Sequence, residues 1–398
     1  MDEINLFWWI ITIFPVLFLI GVSFVLFWNF LEFQPLPVAN DDDSVDDSSS
    51  ESLIFSVCIP ARNEEHNIAH CLESLARQQH QSYEVLVLDD QSEDRTGEIV
   101  REYTKKYDHF KLINGKDRPS DWLGKPWACR QLAEHASGEF LVFIDADCKT
   151  YPGFLTRIEE GFYSDDLDAL TLWPEQILKT FWERVTVPAI YYALLSFLPA
   201  AYVYRKPRWL PGFIYSRIKD KFAAANGQCI VFHHNSYYGI GTHESVKGEV
   251  VEDLALSRLL RAKNYKLKMF SGDGTIACRM YTSGREVLEG FRKNFFAGFG
   301  YSIIPFTLVG LIHFWVYVLP VLMLPFAFFT APPLTIFLIP SIFLIFLHRA
   351  MLNLIFNWPL RDFWMQPLAV LWFLRLAVIT IQDYYQNRSV SWKNRKIR

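Results

Sequence analysis

The first part of the chain alternates between short apolar runs and stretches in which apolar residues recur every three or four positions. The runs predict strands, and the recurring positions predict amphipathic helices. The predicted strands cover residues 54–59, 85–88, 110–113 and 140–144. The helices between them are predicted near residues 68–75, 99–107 and 127–136. This alternation is typical of a parallel sheet with helices on both faces, which binds ligands beyond the carboxyl ends of its strands.

Longer apolar stretches lie near both ends of the chain. Residues 6–27 are apolar apart from Thr12 and Ser23. In residues 301–347 the only strongly polar side chain is His313, and the sequence Ala-Pro-Pro at 331–333 divides the stretch in two. A bilayer crossing needs about 20 apolar residues. The first stretch therefore predicts one transmembrane helix, and the second predicts two.

A further apolar stretch, residues 363–381, contains Arg375 and precedes a tail rich in lysine and arginine. Such a tail favours the cytoplasmic side of a membrane. If the first helix starts outside and all three later segments cross, the basic tail ends outside as well. We therefore expect residues 363–381 not to cross the bilayer completely.

These segments divide the chain into five parts. They are an amino-terminal transmembrane helix (1–30), an acidic linker (31–53), an α/β domain (54–297), a carboxyl-terminal membrane region (298–385) and a basic tail (386–398). Within the α/β domain, residues 181–215 are crowded with aromatic side chains; a position at the lipid headgroups and a position in the protein core both fit them. We expect a multi-pass membrane protein of a bacterial cell membrane whose α/β domain is cytoplasmic.

Composition narrows the classes of protein that fit. Of the 398 residues, 51% are hydrophobic and 21% are charged, with a formal net charge of −4. The chain is too apolar for an ordinary soluble enzyme, and it lacks the basic excess of proteins that bind nucleic acid polymers. Its six cysteines form no C-x-x-C pair. We therefore expect no zinc site and no disulfide framework, and a reducing compartment is the simpler interpretation.

Polar side chains follow the first two predicted strands. Residues 60–65 read Pro-Ala-Arg-Asn-Glu-Glu, and Asp89-Asp90 ends the second strand. No G-x-G-x-x-G follows the first strand and the chain contains no G-x-x-x-x-G-K-[ST], so a dinucleotide turn and a P-loop are disfavoured. A helix N-cap at Asn63, with acidic residues in the first turn, explains this segment as well as a ligand site does. Capping does not explain two consecutive acids at a strand end, which favour a ligand site.

The fourth predicted strand ends in Asp145-Ala146-Asp147. Two carboxylates after a buried strand offer hard oxygen ligands for a divalent cation shared with substrate phosphates. Lys125, on a predicted turn before a helix, suits a phosphate countercharge, although a solvated lysine fits almost equally well. Glu252-Asp253 precedes an amphipathic helix, where the pair serves either as capping residues or as the source of a general base.

Taken together, these motifs resemble the family 2 glycosyltransferases. The matching stretches are SVCIPARNE, LVLDDQSEDRT, GKPWA, VFIDADC and VVEDLALSRLL. The resemblance implies an α/β fold of the GT-A type, with a Rossmann-like, mostly parallel sheet between amino- and carboxyl-terminal transmembrane helices. The GKPWA stretch and the flanking helices are similar to those of carotenoid, hopanoid and ceramide glycosyltransferases.

The resemblance also implies roles for particular residues. Asp145 and Asp147 would hold Mg²⁺ or Mn²⁺ against the diphosphate, and Asp253, after Glu252, would be the base. Gly227 and Gln228 would lie on the acceptor side. The nucleotide-sugar site would comprise Pro60, Ala61, Arg62, Glu64, Asp90, Lys125 and Asp145.

One departure from the family pattern bears on the product. The Q-x-x-R-W signature of processive polysaccharide synthases and ceramide-type enzymes is absent, and Phe291-Arg292-Lys293-Asn294 stands in the corresponding place. Transfer of a single sugar is therefore favoured over polymerisation. Arg292 and Lys293 either neutralise the leaving diphosphate or anchor the first carboxyl-terminal membrane helix at its cytoplasmic end.

The function expected from the sequence is inverting, metal-dependent transfer of one sugar from a nucleotide-diphosphate sugar to a lipid or hydrophobic hydroxyl at the membrane. A polyprenyl-phosphate sugar synthase is the nearest alternative, and its anionic acceptor scarcely needs a base. A processive polysaccharide synthase is another. A non-catalytic membrane scaffold is the alternative from a different class, but such a protein is expected to have lost an acidic residue of the site, and none is lost here.

Overall fold

The computed structural model describes residues 6–37, 54–80, 82–386 and 388, and the backbone of 391–392 and 395–396. Most of the predicted acidic linker and of the basic tail therefore lies outside the described residues. The chain forms two compact units, which we call the helical unit and the sheet unit. The helical unit comprises Met1–Glu32, Leu178–Pro199 and Tyr281–Arg398, and the sheet unit comprises Phe33–Ile177 and Ala200–Met280.

The sheet unit contains a large sheet and a small one. In spatial order, the seven strands of the large sheet are β3 (Phe110–Asn114), β2 (Tyr83–Asp89), β1 (Phe55–Ala61), β4 (Phe140–Ile144), β8 (Cys229–His233), β6 (Ala169–Trp173) and β9 (Leu267–Ser271). Strand β8 runs antiparallel to both of its neighbours, and the other neighbouring strands are parallel. The three strands of the small sheet are β5 (Cys148–Thr150), β10 (Ile276–Cys278) and β7 (Glu175–Gln176).

The expected mostly parallel sheet is confirmed. Strand β4 spans the predicted residues 140–144, and β1, β2 and β3 contain the other three predicted runs to within one residue. In the middle of the sheet Val57 pairs with Val85 on one side and with Val142 on the other. All three valines are fully buried. These strands have continuous apolar sequences because both faces of the sheet are covered.

The helices of the sheet unit follow the strands as the sequence predicts, with additions after residue 150. They are α2 (Ile68–Ala76), α3 (Thr96–Lys106), α4 (Gly124–His135), α5 (Phe154–Asp165), α7 (Ala201–Tyr204), α8 (Gly212–Ile218), α9 (His234–Gly239) and α10 (Glu252–Ala262), with 3₁₀ turns at Lys219–Phe222 and His243–Val246. Helix α2 begins after Asn67, so the alternative that makes Asn63 an N-cap is wrong. Asn63 has a positive φ of 52°, and its Oδ1 accepts a hydrogen bond from Glu93 N.

The helical unit is built mainly from long apolar helices. Its helices are α1 (Leu6–Glu32), α6 (Phe181–Phe197), α11 (Gly284–Asn294), α12 (Ile303–His313), α13 (Leu319–Thr330), α14 (Thr335–Ile355) and α15 (Gln366–Tyr385). A π-helical turn, Phe314–Val318, joins α12 to α13, and 3₁₀ turns occur at Ala297–Phe299, Pro332–Leu334 and Leu360–Met365. Two short strands, β11 (Ser391–Trp392) and β12 (Arg395–Lys396), pair near the end of the chain.

Four helical stretches among the described residues are long and apolar enough to cross a membrane. They are Leu6–Glu32, Ile303–Thr330, Pro332–Ile355 and Leu360–Tyr385. The first three correspond to the three predicted transmembrane helices. The fourth contains residues 363–381, and its length and apolar composition alone do not distinguish it from the others. The aromatic segment 181–215, treated as one segment above, is divided, because α6 belongs to the helical unit and residues 200–215 to the sheet unit.

A buried polar network lies inside the helical unit. Arg349 of α14 is 1% exposed. Its guanidinium donates to the Arg184 carbonyl oxygen at 2.6 Å and to Asn353 Oδ1 at 3.0 Å. A charged side chain in apolar surroundings is costly unless its donors are paired, so this network holds α6 and α14 in one arrangement.

We predict that Arg349→Met destabilises the protein by about 1–3 kcal/mol, because it leaves the Arg184 carbonyl and the Asn353 side chain without their buried donor. Thermal unfolding in detergent measures the effect. Arg361→Met, at an exposed position of the same unit, is the matched control and should change the melting temperature little. Equal melting temperatures for the two variants would contradict the network's stabilising role.

Candidate active site

The predicted site residues gather at one edge of the large sheet. The parallel strands β1, β2 and β4 end there, and the antiparallel strand β8 begins there. Backbone hydrogen bonds join the segments that follow: Asp90 N donates to the Ala61 carbonyl at 2.8 Å, and Asp145 N donates to the Gln228 carbonyl at 3.1 Å. Residues distant in sequence are thereby held side by side beyond the strand ends.

Lys125 lies at the centre of this group. Its Nζ is 2.7 Å from Asp145 Oδ1 and 3.2 Å from Glu252 Oε1, and it donates to the Gly227 carbonyl at 2.9 Å. Helix α4 begins at Gly124, so Lys125 lies in the first helical turn and not, as predicted, on a turn before the helix. One ammonium group thus joins the ends of α4, β4, β8 and α10.

The charge of Lys125 is stabilised by its neighbours. Desolvation alone would lower the pKa of this lysine, but the carboxylates of Asp145 and Glu252 outweigh that effect and hold its pKa well above the ordinary value. The ammonium therefore stays protonated throughout the physiological pH range. It is a fixed positive charge between two carboxylates.

Asp253 lies beside this ion-pair network in the first turn of α10. Its Oδ2 accepts a hydrogen bond from Gly227 N at 2.7 Å, and its Oδ1 accepts one from Leu254 N at 2.7 Å. Burial, and then the neighbouring charge of Glu252, raise the pKa of Asp253 to about 6, although Lys125 and the two backbone hydrogen bonds oppose the rise. A carboxyl group that changes protonation near neutral pH is suited to general acid–base chemistry.

At Gly227 the chain approaches the charged side chains closely. A Cβ atom at this position would lie 3.1 Å from Asp253 Oδ2 and 3.2 Å from Lys125 Nζ. Each of these side-chain ends would have to shift by a few tenths of an ångström to accommodate it. The close approach lets the backbone of Gly227 serve both groups, since its N–H donates to Asp253 and its carbonyl accepts from Lys125.

The residues predicted to line the nucleotide pocket lie at the ends of β1 and β2. Pro60 and Ala61 are the last two residues of β1. Arg62 Nη1 donates to the carbonyl oxygens of Asp90 at 2.6 Å and of Gln91 at 2.8 Å. Glu64 closes the turn before α2, since its Oε2 accepts from Asn67 Nδ2 at 2.9 Å. Arg62 and Asp90 are thus in direct contact, whereas Glu64 contributes to the local turn.

The second aspartate of the predicted metal motif lies among residues that the sequence analysis did not connect. The Oδ1 of Asp147 is 3.9 Å from Cys148 Sγ, and Cys148 pairs with Cys278 across two strands. The side chain of Gln228, predicted on the acceptor side, is only 6% exposed, and its Nε2 donates to Cys278 Sγ at 2.9 Å. The register of β5 with β10 creates this cluster, and two single cysteines far apart in sequence give no signal of it.

Arg292 and Lys293 belong to the helical unit, at the end of α11. The guanidinium of Arg292 makes a bidentate ion pair with Asp383 of α15, at 2.5 Å from Nε to Oδ2 and 2.6 Å from Nη2 to Oδ1. This pairing links α11 to α15, whereas the sequence left open an anchor for the first carboxyl-terminal membrane helix or the neutralisation of a leaving group. Neither of those two roles is tested by the pairing, and both stay predictions.

We predict that Arg292→Met and Asp383→Leu each lower the free energy of unfolding by on the order of 1–3 kcal/mol, because each leaves one partner of the bidentate pair without its counter-ion. A double-mutant cycle followed by thermal unfolding measures the coupling between them. If the two losses are fully additive, the pair does not anchor α11 to α15. Affinity for nucleotide, measured on the same variants, should stay unchanged if Arg292 is an anchor only.

Comparison with known proteins finds a family match for part of the chain. Residues 56–217 match the protein family described as Glycosyl transferase family 2. The 4,4'-diaponeurosporenoate glycosyltransferase of Staphylococcus aureus (strain USA300) is 27% identical over 252 residues, which cover 62% of this chain and 62% of that protein. The protein of the same name from Staphylococcus haemolyticus (strain JCSC1435) is 27% identical over 258 residues, which cover 61% of each chain. The match thus spans about three-fifths of the length of these relatives.

A solved structure has the same fold. The mannosyltransferase PcManGT from Pyrobaculum calidifontis, in complex with GDP-Man and Mn²⁺, superposes with a TM-score of 0.53 at 14% sequence identity, covering 95% of this chain and 99% of that chain. At this identity the likeness concerns the fold alone. The family match and the mostly parallel sheet agree, and the chain carries a glycosyltransferase family 2 domain of the GT-A fold.

Proposed function

We propose that the protein is an inverting, metal-dependent glycosyltransferase that transfers a single sugar from a nucleotide-diphosphate sugar to a hydroxyl group of a lipid at the membrane. The observation that carries this proposal is the cluster formed by Lys125 with Asp145 and Glu252, next to Asp253 with its pKa of about 6. The cluster lies at the strand ends of a family 2 domain, where an α/β sheet binds its ligands.

Asp253 is the proposed general base. Above its pKa the carboxylate takes the proton of the acceptor hydroxyl while the acceptor oxygen attacks the anomeric carbon. The bond between that carbon and the diphosphate oxygen breaks in the same displacement, so the product has the opposite anomeric configuration. The hydrogen bonds from Gly227 N and Leu254 N orient the carboxylate for this role.

Asp145 and Asp147 fit the divalent cation that the family resemblance implies. Both side chains are partly exposed beyond the end of β4, and carboxylate oxygens are the ligands that Mg²⁺ and Mn²⁺ prefer. Asp145 already faces one positive charge, since its Oδ1 is 2.7 Å from Lys125 Nζ. When bound, Mg²⁺ or Mn²⁺ would help neutralise the diphosphate. Lys125 would add its permanent charge to that task from the first turn of α4.

The remaining contacts to the donor are assigned to the ends of β1 and β2. We infer that Pro60, Ala61 and Arg62 line one wall of the nucleotide pocket and that Asp90 accepts a hydrogen bond from the base or ribose. Arg62 fixes the Asp90 backbone through its bond to the Asp90 carbonyl, which orients the wall before the nucleotide arrives. Gly227 is assigned to the acceptor side through its backbone.

Two observations support a lipid hydroxyl as the acceptor. The relatives are named for a carotenoid-type acceptor, and the described part of this chain has four helical stretches apolar enough to cross a membrane. We therefore propose a multi-pass membrane protein whose sheet unit works in the cytoplasm, where nucleotide sugars are made. A polyprenyl-phosphate acceptor is less well supported, because a phosphate oxygen needs no base with the raised pKa of Asp253.

The segment 200–222 of the sheet unit is proposed to rest on anionic lipid headgroups. Trp209 and Phe213 are each 69% exposed, and no residue of α8 is buried. Six basic residues and one acid lie among them: Arg205, Lys206, Arg208, Arg217, Lys219, Lys221 and Asp220. Exposed aromatic rings beside a basic excess are typical of segments that lie in the membrane interface.

The proposed function is tested by transfer of radiolabel from UDP-glucose, UDP-galactose, UDP-GlcNAc and GDP-mannose into an organic extract of membranes. We expect one donor to give a discrete neutral lipid product that disappears with EDTA and in Asp147→Ala. Asp166→Ala, at the exposed first residue of the Asp-x-Asp at residues 166–168, is the control and should keep activity. Label in insoluble polymer would favour the polysaccharide synthase, label in an acidic lipid the polyprenyl-phosphate synthase, and no label from any donor would contradict the proposal.

The pH dependence of transfer reports the protonation of Asp253. Because the base form exists above a pKa of about 6, the rate should rise roughly tenfold per pH unit below that value and level off above it. Asp253→Asn should lose this dependence and about 10²–10⁴ of the rate. Glu249→Gln, an exposed carboxylate nearby in sequence, should behave as wild type. An unchanged acidic limb in Asp253→Asn would remove Asp253 from the role of base.

Lys125 should control the pH at which the transfer rate levels off, that is, the position of the acidic limb of the pH–rate profile. Its positive charge lowers the pKa of Asp253, so Lys125→Met is expected to move the limb to higher pH, by on the order of one unit. Lys125→Arg keeps the charge and should leave the limb near its wild-type position. A limb that moves to lower pH in Lys125→Met, or equally in both variants, would show that the charge of Lys125 does not set the pKa.

The membrane contact of segment 200–222 is measurable by fluorescence. The six native cysteines are buried, so an introduced cysteine can be labelled selectively. In nanodiscs with anionic lipid, a fluorophore on Phe213→Cys should be quenched by lipid-borne nitroxide, whereas one on Tyr163→Cys should not, although Tyr163 is 66% exposed in the same unit. Quenching at residue 213 should weaken in neutral lipid. Equal quenching at both positions would contradict the contact.

A further inference from the structure

Cys148 and Cys278 face each other across two strands of the small sheet. They are direct partners in the antiparallel register of β5 with β10, and each is 1% exposed. Tyr151 N donates to the Thr275 carbonyl at 2.9 Å in the same ladder. The alternation of an antiparallel ladder then gives residues 148 and 278 a non-hydrogen-bonded pair, in which opposite side chains approach most closely.

A carboxylate adds a third ligand atom to the two thiols. One oxygen of Asp147 and the Sγ atoms of Cys148 and Cys278 all lie within 4.8 Å of one another, and Cys148 Sγ is 3.9 Å from Asp147 Oδ1. Around a tetrahedral zinc ion, bond lengths near 2.3 Å to sulfur and 2.0–2.2 Å to oxygen separate the ligand atoms by roughly 3.5–4 Å. The three atoms need to approach one another by less than about 1 Å to hold such an ion.

Buried amides support the sulfur atoms from a second direction. Gln228 Nε2 donates to Cys278 Sγ at 2.9 Å, and Cys148 Sγ lies 3.5 Å from the Gln228 carbonyl oxygen. Gln228 is itself fixed, because Gln176 Nε2 donates to its Oε1 at 2.9 Å. Outer hydrogen bonds of this kind orient the ligands of a metal and tune their affinity. Hydrogen bonds therefore hold the two sulfur atoms in place, close to Asp147.

We propose that Asp147, Cys148 and Cys278 form a binding site for a thiophilic divalent cation of the Zn²⁺ class, with water as a fourth ligand. Thiolate sulfur selects such ions over Mg²⁺ and Mn²⁺, which prefer oxygen. The two thiols release their protons to solvent when the ion binds. The absence of a C-x-x-C pair, which led to the expectation of no zinc site, does not bear on ligands that come from two separate strands.

The site shares Asp147 with the proposed oxygen site for Mg²⁺ or Mn²⁺. An ion held by the two sulfurs draws the Asp147 carboxylate toward Cys148, so the two ions exclude each other at this residue. Zn²⁺ is then an inhibitor of transfer that competes with the activating cation. This consequence rests on the proposed function, whereas binding of the thiophilic ion does not.

Titration with Co²⁺ alone tests the site, because Co²⁺ bound to thiolates absorbs intensely in the near ultraviolet and visible, and Co²⁺ bound to oxygen alone does not. Reduced full-length protein in detergent should develop the thiolate band to one equivalent and lose it on addition of Zn²⁺. Cys148→Ser and Cys278→Ser should each lose most of the band. Cys58→Ser, which removes a fully buried thiol from β1, is the matched control and should keep it.

Two results would overturn the site: no thiolate band in the wild-type protein, or a band that survives in both Cys148→Ser and Cys278→Ser. Thermal unfolding of each variant without metal separates loss of ligand from loss of fold. X-ray absorption at the zinc edge needs no variant, and the wild-type protein loaded with Zn²⁺ should show two sulfur neighbours at about 2.3 Å. A shell of oxygen and nitrogen alone would also overturn the proposal.

The inhibitory consequence is measured separately in the lipid-transfer assay. Micromolar Zn²⁺ should inhibit wild-type transfer and be reversed by excess Mn²⁺, and Cys278→Ser should be at least about tenfold less sensitive. Equal sensitivity of Cys278→Ser and wild type would contradict the competition. If no donor supports transfer, the Co²⁺ titration still decides whether the site exists, so failure of the proposed function and failure of the metal site are distinguishable.

Discussion

The ion pair of Lys125 with Asp145 and Glu252 is the interaction on which the rest of the candidate site depends. Carboxylates gathered at one sheet edge repel one another, and a close pair of like charges drives protons onto one of them. The ammonium of Lys125, 2.7 Å from Asp145 and 3.2 Å from Glu252, offsets that repulsion. Asp253, which accepts only backbone hydrogen bonds among the contacts described above, has a raised pKa because it is buried and, secondarily, because Glu252 lies nearby.

The size of the rise in the pKa of Asp253 shows that burial and the charge of Glu252 outweigh the interactions that oppose them. A carboxyl pKa that rises from 3.8 to about 6 corresponds to roughly 3 kcal/mol in favour of the neutral form. The backbone bonds from Gly227 and Leu254 oppose the shift but do not cancel it. The result is a base that is ionised at neutral pH and still basic enough to accept a proton from a hydroxyl group. Burial and the neighbouring Glu252 raise the pKa of Asp253, and the positive charge of Lys125 limits the rise.

The directions of the strands bring the residues of the cluster together at one edge of the large sheet. Parallel strands of the large sheet deliver their carboxyl ends to one edge, and β8, which runs antiparallel to both of its neighbours, brings its amino end to the same edge. Gly227, just before β8, can therefore contact both Lys125 and Asp253. Glycine suits this close approach, because a Cβ atom would meet both side chains at 3.1–3.2 Å and require each to shift by a few tenths of an ångström.

The sequence predicted the features that depend on local pattern. Strand β4 and the acids that follow it were found because a continuous apolar run and an Asp-x-Asp are both local signals. The antiparallel β8, the pairing of Arg292 with Asp383 and the opposition of Cys148 to Cys278 were not predicted, because they depend on register and packing between distant segments. Lys125 was predicted as a site residue, but its helical position and its partners came from the fold.

The carboxylates at the end of β4 are proposed to bind a nucleotide diphosphate through a divalent cation. Calorimetric titration of UDP and GDP into the full-length protein, with and without Mn²⁺, measures this binding. We predict that one nucleotide binds only with Mn²⁺, that Asp145→Asn and Asp147→Asn abolish this binding, and that Asp166→Asn, at an exposed residue of the other Asp-x-Asp, preserves it. Binding as strong in the Asp145 and Asp147 variants as in the wild-type protein would contradict this assignment.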